Sequence, residues 1–272
     1  MKKVVILLFI AMSSLCVSAQ IISHEFSING GGGLSTFHYK LPESAGKIGY
    51  GFGGDAGVGY TLLFIKMIGI HIGAGVGIYN AKAKLVDGVI IVTPGLIDSE
   101  GDRFDLHSKL SNYRENQNAI LVNIPIMAQF QILKFYAMGG VKIGIPVSTK
   151  YSVSDATITN EGYYFDYSNW TTSQEFAGFG TFTNYNSEGK LKLGVSTMLS
   201  LEAGLKFGKK VAFCIGAYFD YGLNNSLKDS DQPFVNYTNS NTAEFTTNSV
   251  LPSLTEKVNF IAAGLKLRLA FN

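Results

Sequence analysis

The stretch 191–207, LKLGVSTMLSLEAGLKF, decides the fold. Apolar residues occupy nearly every second position, and the positions between them are mostly small, polar or charged. On a helix of 3.6 residues per turn the apolar side chains would scatter around the axis, whereas on a strand they share one face. The stretch therefore predicts a β-strand with one apolar face, made of Leu191, Leu193, Val195, Thr197, Leu199, Leu201, Ala203, Leu205 and Phe207.

The same alternation recurs along the chain. Tight turns are expected around Ile65–Met67, Ile132–Lys134 and Gly208–Lys210, while the other connections are mostly long and polar. Short turns at one rim and long loops at the other are typical of outer-membrane barrels. The expected fold is all-β, an eight-stranded antiparallel up-and-down transmembrane β-barrel of meander topology, with strands near 25–39, 48–64, 68–84, 114–130, 135–150, 191–207, 211–224 and 257–271.

The composition of the second face indicates which face meets lipid. In 49–59 and 69–77 this face is mainly glycine, as the narrow interior of an eight-stranded barrel requires. We therefore expect the bulky apolar face to point outward. The alternative is a soluble lipocalin-like barrel with a ligand inside.

Interfacial aromatic girdles are expected from two sets of aromatic residues. The tight-turn set is Phe64, Phe130, Phe135, Phe207, Phe213 and Phe271, and the long-loop set is Tyr50, Tyr151, Phe219 and Tyr221.

The first residues resemble a secretory leader. Lys2 and Lys3 precede an apolar run, and Val17-Ser18-Ala19 suits a cleavage site before Gln20. A buried strand or helix start is the alternative interpretation. We expect a signal peptide at 1–19, a barrel domain at 20–272 and an outer-membrane location, because no later stretch approaches the roughly 20 apolar residues of a spanning helix.

Composition excludes several classes of function. The chain has 272 residues, of which 46% are hydrophobic and only 15% charged, against about 25% charged in a soluble domain. Its formal net charge is +2, and removing Lys2 and Lys3 leaves 20 basic and 20 acidic residues. Without a basic stripe, no nucleic-acid partner is expected. Cysteines and histidines are too few for a structural zinc site, so neither a metal nor a cofactor is expected.

Two further segments carry a family resemblance. The apolar segment 119–130, AILVNIPIMAQF, has an internal Ile-Pro, and the glycine-rich segment 135–144, FYAMGGVKIG, follows it. With the penultimate Phe271, the chain resembles small eight-stranded outer-membrane barrels of the OmpA transmembrane-domain-like, OmpX-like and, more narrowly, PorT-like families. The resemblance implies outer-membrane lipid and the barrel-assembly machinery as partners. It does not imply a specific activity, because fold is a poor guide to function.

Inward-facing ionisable residues form the first candidate site. Buried charges must be paired or hydrogen-bonded, so we expect a network of charges that plugs the interior, with Glu202 and Arg268 as the pair to test first. The alternative is that Lys192, Lys206 and Lys266 lie near the rims and are solvated. The expected network comprises Asp55, Lys142, Glu202, Asp220, Lys266 and Arg268.

Enzyme signals are weak, and we expect no catalytic residues. Gly49, Gly51 and Gly54 match a dinucleotide-binding pattern, but no helix follows them. His38 has no neighbouring serine of the kind that lipid-modifying barrels carry. The glycine pattern is explained by the need for small residues in a narrow interior. His38 is interpreted as an ordinary outward-facing histidine near the first loop.

Aromatic residues in the long segment 152–188 form the second candidate site. This cluster can bind an extracellular or periplasmic partner, or it can build a rigid hairpin with its own small core, which we favour slightly. The candidate contact residues are Tyr163, Tyr164, Phe165, Tyr167 and Trp170. The sequence therefore predicts a non-enzymatic structural or interaction protein with surface loops. A secretion or assembly accessory and a narrow channel are the alternatives.

Overall fold

The computed structural model describes residues 22–42, 44–64, 67–172, 178–238 and 245–272. The expected leader therefore lies outside the described residues, as do Ile65 and Lys66 of the first expected turn. The described part folds into fourteen strands and one short helix, α1 (Val250–Leu254). The strands are β1 Ser23–His38, β2 Gly46–Phe64, β3 Ile68–Leu85, β4 Val89–Ile97, β5 Arg103–Ser111, β6 Arg114–Ile132, β7 Phe135–Tyr164, β8 Asn169–Thr171, β9 Gly180–Lys190, β10 Ser196–Gly208, β11 Val211–Gly222, β12 Val235–Tyr237, β13 Phe245–Thr247 and β14 Asn259–Phe271.

Eight of these strands each pair with two others in the same set. The pairing follows the order β1, β2, β3, β6, β7, β10, β11 and β14, and β14 pairs again with β1. Every pair is antiparallel, which confirms the predicted all-β antiparallel class. At the β10–β11 turn Gly208 has a φ of +106°, and a Cβ there would lie 2.2 Å from the carbonyl oxygen of Val211, so this turn requires glycine.

The connections expected to be polar loops contain much of the remaining structure. β7 continues to Tyr164, well past the expected end at residue 150, and its second half pairs with β5, β8 and β9. β4 extends this sheet, while β12 and β13 form a separate hairpin. In the described ranges no helix is both long and apolar enough to cross a membrane. Short strands interrupted by turn residues, such as Pro94 in β4, carry little alternation of their own, and this explains the missed elements.

The outer surface changes character along β3. On β3, every second residue from Ile68 to Ile78 is exposed and apolar, and the outward residues beyond them are Asn80, Lys82 and Lys84. We call the exposed apolar residues of the long strands the apolar belt. It includes most of the predicted girdle residues at the tight-turn rim. Phe64 is half-buried, and the other five are exposed, namely Phe130, Phe135, Phe207, Phe213 and Phe271.

One predicted girdle residue, Tyr151, is instead buried. The β6–β7 register shifts between Ile120 and Leu121, so that Ser148 and Pro146 become their respective partners. An extra residue in one strand reverses the facing of everything beyond it. Tyr151 therefore points inward, and its hydroxyl donates to the carbonyl oxygen of Thr247 at 2.8 Å.

The stretch that decides the fold is also shorter as a strand than expected. β10 begins at Ser196 rather than at residue 191. Leu191 and Leu193, predicted to face outward, are 3% and 6% exposed. Leu193 makes an isolated bridge to Leu227. The apolar alternation continues through irregular backbone here, because these leucines fill a core on the loop side.

That core fills the long-loop end of the molecule. We call this apolar cluster the loop core. It joins the inward faces of the long strands to β4, β5 and α1. Phe37 packs edge-on against Phe260, with ring centroids 5.0 Å apart. Its largest fully buried members include Tyr113, Phe37, Phe104, Phe179, Phe234, Phe260, Leu85, Leu106, Leu110 and Ile158.

Candidate functional site

Arg268 and Glu202 meet inside the ring of paired strands. The guanidinium donates to Glu202 Oε1, and the hydroxyl of Tyr136 donates to the same oxygen at 2.9 Å. Arg268 also lies 5.3 Å from the centre of the Tyr136 ring, within cation–π range. All three side chains are buried. Oε1 of Glu202 is thereby held by the Arg268 cation and the Tyr136 hydroxyl in a site shielded from solvent.

The other four predicted network residues lie in the same interior. Lys142 Nζ donates to Asp220 Oδ2 at 2.6 Å, and Ser200 Oγ donates to the second oxygen of Asp220 at 2.6 Å. Lys266 Nζ lies 2.9 Å from Asp55 Oδ2 and 3.7 Å from Glu202 Oε2. The structure thus brings all six predicted residues into contact with opposite charges.

Sequence reasoning missed one ion pair of this interior. Lys206 Nζ donates to Glu25 Oε2, and it lies 3.3 Å from Gln131 Oε1. The signal was the phase of β1, where Phe26 and Ile28 face outward and therefore place Glu25 inside. By contrast, Lys192 is exposed and pairs with Asp229 at 2.8 Å, as the solvated alternative expected for that residue. We call the full set the charged interior; it comprises Glu25, Asp55, Lys142, Glu202, Lys206, Asp220, Lys266 and Arg268.

The pairs of the charged interior join strands that are not neighbours in the sheet. Lys142 on β7 reaches Asp220 on β11, and β10 lies between them. Arg268 on β14 similarly reaches Glu202 across β11. Four cations face four carboxylates, so the set is neutral. Such cross-links oppose widening of the interior, because separating a buried pair leaves an uncompensated charge that costs about 3–5 kcal/mol.

The free space at the centre of this network is small. A cavity of about 30 Å³ is lined by Asp55, His71, Asn123 and Arg268, among others. Asp55 Oδ1 and Asn123 Oδ1 are buried without a hydrogen-bond partner. The cavity is large enough for a water molecule that would satisfy them.

A carboxylate also lies in the loop core, where none of the described cations forms an ion pair with it. Glu115 accepts hydrogen bonds from Tyr113 Oη and Val250 N at 3.0 Å, from Gln117 Nε2 at 2.8 Å and from Ser249 Oγ. Ser249 is also the N-cap of α1. Burial raises the pKa of Glu115 above its ordinary value of 4.5, while these hydrogen bonds act in the opposite direction. Glu115 therefore attaches α1 to β6.

The predicted loop aromatics divide between two faces of one hairpin. Tyr164 is buried; its ring stacks on Phe104 at 5.2 Å, and its hydroxyl donates to Asp98 Oδ2 at 2.8 Å. Burial and the Asp98 carboxylate raise the pKa of Tyr164, which keeps the hydroxyl a donor. Tyr167 is exposed and donates to Asp102 Oδ2 at 3.1 Å. This face forms the small core that the sequence favoured. Phe176, which belongs to the same aromatic segment, lies outside the described residues.

The opposite face carries the remaining three aromatics. Trp170 lies 5.0 Å from Tyr163 and 4.7 Å from His107, and Tyr163 lies 5.2 Å from Phe165, measured between ring centroids. Trp170 and Phe165 are each 50% exposed. We call Tyr163, Phe165, Trp170 and His107 the aromatic cluster. Contiguous exposed aromatic surface is typical of contact sites.

An exposed apolar belt around a charged interior is the arrangement typical of membrane β-barrels and not of soluble ones. Comparison with known families agrees. The sequence profile described as "Outer membrane protein beta-barrel domain" matches residues 18–228. The chain belongs to this family of small outer-membrane β-barrels.

Two solved outer-membrane proteins are distantly similar to the chain. Ail, the attachment invasion locus protein of Yersinia pestis, solved with the heparin analogue sucrose octasulfate, is 12% identical, with 92% of this chain and 99% of Ail covered and a TM-score of 0.32. The outer membrane protease OmpT of Escherichia coli is 9% identical, with 94% and 99% covered and a TM-score of 0.32. No curated protein matches the chain.

Proposed function

We propose that this chain is an eight-stranded, up-and-down barrel that spans the outer membrane and acts as a non-enzymatic structural and interaction protein. The exposed apolar belt, which on β3 gives way to exposed lysines, carries the proposal. Ile68 to Ile78 on β3 cover ten residue steps of about 3.4 Å. Tilted by about 45°, they span about 25 Å, the height of the apolar band of outer-membrane barrels.

The charged interior supports a closed barrel rather than a channel. Its carboxylates are engaged by cations and hydroxyls, and its central cavity is close to the size of a single water molecule. The same engagement leaves these carboxylates poorly placed for acid–base chemistry, which supports the non-enzymatic assignment. We expect the terminal strand, ending at the exposed Phe271, to be the segment that the barrel-assembly machinery recognises.

Heat-modifiability tests the barrel. After fractionation of expressing cells, the unboiled protein should be found in the outer membrane and should migrate differently from the boiled protein on an SDS gel. No shift and a periplasmic location would contradict the proposal and favour a soluble ligand-binding barrel. Steady single-channel conductance in a planar bilayer would instead favour the narrow channel. A secretion defect on deletion, independent of the loops, would favour the accessory role.

The aromatic cluster is the proposed contact surface of the loops. The barrel in nanodiscs can be applied to arrays of extracellular proteins and glycans. Trp170→Ala should weaken a genuine contact about thirtyfold, the effect of losing an interface hot spot. Tyr167→Phe is the matched control, since Tyr167 lies outside the cluster. Equal binding by wild type and Trp170→Ala would remove the cluster from the proposal.

A further inference from the structure

The outer surface becomes basic directly beyond the apolar belt. On β3 the outward sequence after Ile78 is Asn80, Lys82 and Lys84, and both lysines are exposed. Strand register places further cations beside them. Lys84 lies opposite Lys47 on β2 and opposite Arg114 on β6. Four cations from three neighbouring strands thus share one face.

The basic surface continues onto β7 and β9. Asn118, the β6 partner of Asn80, lies opposite Lys150, which in turn lies opposite Lys190. Among the residues that the structure describes, none of these cations forms an ion pair with a carboxylate. Glu188 is the carboxylate on these rows. We call this set the basic patch; it comprises Lys47, Lys82, Lys84, Arg114, Lys150 and Lys190, all exposed.

A surface depression lies within the basic patch. Its volume is about 540 Å³, and its polar lining includes the cations Lys82 and Lys150, the amides of Asn80, Asn116 and Asn118, and one carboxylate, Glu188. The side-chain amide of Asn118 donates to the oxygen of Asn80 at 2.7 Å, which fixes both amides in the wall. The depression therefore presents ammonium groups and amides together, the donors that phosphate oxygens accept from.

The position of the basic patch, next to the apolar belt, indicates that the phosphate belongs to a lipid rather than to a soluble anion. Phe52 lines the depression and is 73% exposed, and the exposed Ile78 and Val147 belong to the belt at this level. A lipid whose acyl chains lie against the belt brings its headgroup to the level of Lys82 and Lys150. A soluble anion would gain no contact energy from these exposed apolar side chains.

We propose that the basic patch binds the phosphate headgroups of anionic lipids in the outer leaflet, with the acyl chains lying on the belt below. This inference rests on the membrane orientation given under the proposed function. Juxtamembrane basic residues attract anionic lipid strongly enough that each Lys or Arg contributes a several-fold change in affinity. The cluster of six unpaired cations is otherwise an unfavourable arrangement, since like charges on adjacent strands repel.

Titration calorimetry of the full chain in zwitterionic detergent micelles tests the proposal. The probes are dihexanoyl phosphatidic acid, dihexanoyl phosphatidylcholine and inorganic phosphate. We expect binding of phosphatidic acid in clear preference to the other two. Lys82→Gln/Lys84→Gln should weaken that binding about twentyfold. The control Arg103→Gln/Lys109→Gln removes two exposed cations from β5, away from the belt, and should leave it unchanged.

Three results would overturn the inference. Equal binding of phosphatidylcholine would remove the charge selectivity, and equal binding of inorganic phosphate would reduce the patch to a site for free anions. Equal losses in both double variants would show a general charge effect. The gel shift, measured on the same preparations, separates the two proposals. A folded barrel that shows the gel shift but no lipid preference contradicts only the inference, whereas a chain without the gel shift contradicts the proposed function and the inference with it.

Discussion

The charged interior and the loop core lie on the same strands but are built in opposite ways. On β3 the inward residues change from His71, bonded to the hydroxyl of Thr61 at 2.8 Å, to the apolar Tyr79 and Leu85. The outward residues change in the reverse sense, from Ile70 to Lys84. One half therefore has an apolar exterior and a polar interior, and the other half follows the pattern of a soluble domain.

The comparison shows how the surroundings determine what a strand buries. Where lipid covers the exterior, bulky apolar side chains can stay outside, and the narrow interior is left to glycines and paired charges. Where water covers the exterior, the same strands must bury aromatics to gain stability. On β3 both changes occur within a few residues. The outer face changes from apolar to charged between Ile78 and Lys82, and the inner face changes from polar to aromatic at Tyr79.

The largest expected effect comes from Glu202→Gln in the charged interior. The change removes the counter-ion of Arg268 and leaves that cation buried, so the free energy of unfolding should fall by about 4 kcal/mol. Urea titration of the barrel in lipid vesicles, followed by the gel shift, measures it. Unchanged unfolding together with unchanged conductance would remove the main support for the network.

In the loop core, Leu106→Ala should cost about 3 kcal/mol, because Leu106 is 1% exposed and its loss leaves a cavity. Amide hydrogen exchange should become faster in β4 and β5 while β10 and β11 keep their protection. Ile90→Ala, at an exposed position of β4, is the control. Equal loss of protection in both regions would show that the two halves unfold as one unit, against the comparison drawn above.

A smaller effect is expected from Glu115→Gln. The variant places an amide NH₂ among groups that all donate hydrogen bonds, so α1 should be destabilised by about 2 kcal/mol relative to β6. Faster exchange of the Val250 amide reports this. Glu188→Gln removes the same charge from an exposed position and should leave that amide unchanged. Similar exchange rates in both variants would contradict the attachment of α1 through Glu115.

Glu115 also predicts a pH dependence of the loop core. Its pKa is raised in the folded state, so the folded state binds the proton more tightly than the unfolded state does. Stability is therefore highest below pH about 4.5 and falls as the pH rises from there towards the raised pKa. Exchange of the α1 amides, corrected for intrinsic rates, measures the trend. Glu115→Gln should abolish it, and the same slope in that variant would assign it to another group.

The smallest effect is expected from Lys192→Gln. Lys192 and Asp229 form an exposed pair, which is worth at most about 0.5 kcal/mol after screening by solvent and salt. The same urea titration as for Glu202→Gln applies. A loss comparable with that of Glu202→Gln would mean that burial does not distinguish the two kinds of ion pair.

Alternation of side chains was sufficient to predict all eight long strands and the approximate positions of their turns. It also placed Glu202, Arg268 and Lys142 on the inner face, because phase within a strand needs no knowledge of the partner strand. Glu25 was missed although the phase set by Phe26 and Ile28 places it inside, because β1 is the strand with the weakest apolar alternation, interrupted by the glycines at 30–33. Tyr151 was placed on the wrong face because a bulge leaves no mark in the pattern of apolar residues.

The loop side was much less predictable. Its short strands form because they pair with the second half of β7. β8, for example, has only three residues, which is too few for a pattern of alternation to be recognised in the sequence. Leu191 and Leu193 continue the alternation of β10, yet they fill the loop core. Tyr163 and Tyr164 occupy opposite sides of an extended strand, as neighbouring residues must. The order of the aromatics does not indicate which of the two sides is buried.

The 30-residue strand β7 has a mechanical consequence. It begins at the tight-turn rim with Phe135 and ends beside Trp170, and it is hydrogen-bonded on both edges along most of its length, first by β6 and β10 and then by β5 and β9. A pull on the aromatic cluster along this strand loads many hydrogen bonds in shear at once. The aromatic cluster is thereby joined to the strands around the charged interior through one continuous strand, so a force applied at the cluster is shared by all of these hydrogen bonds.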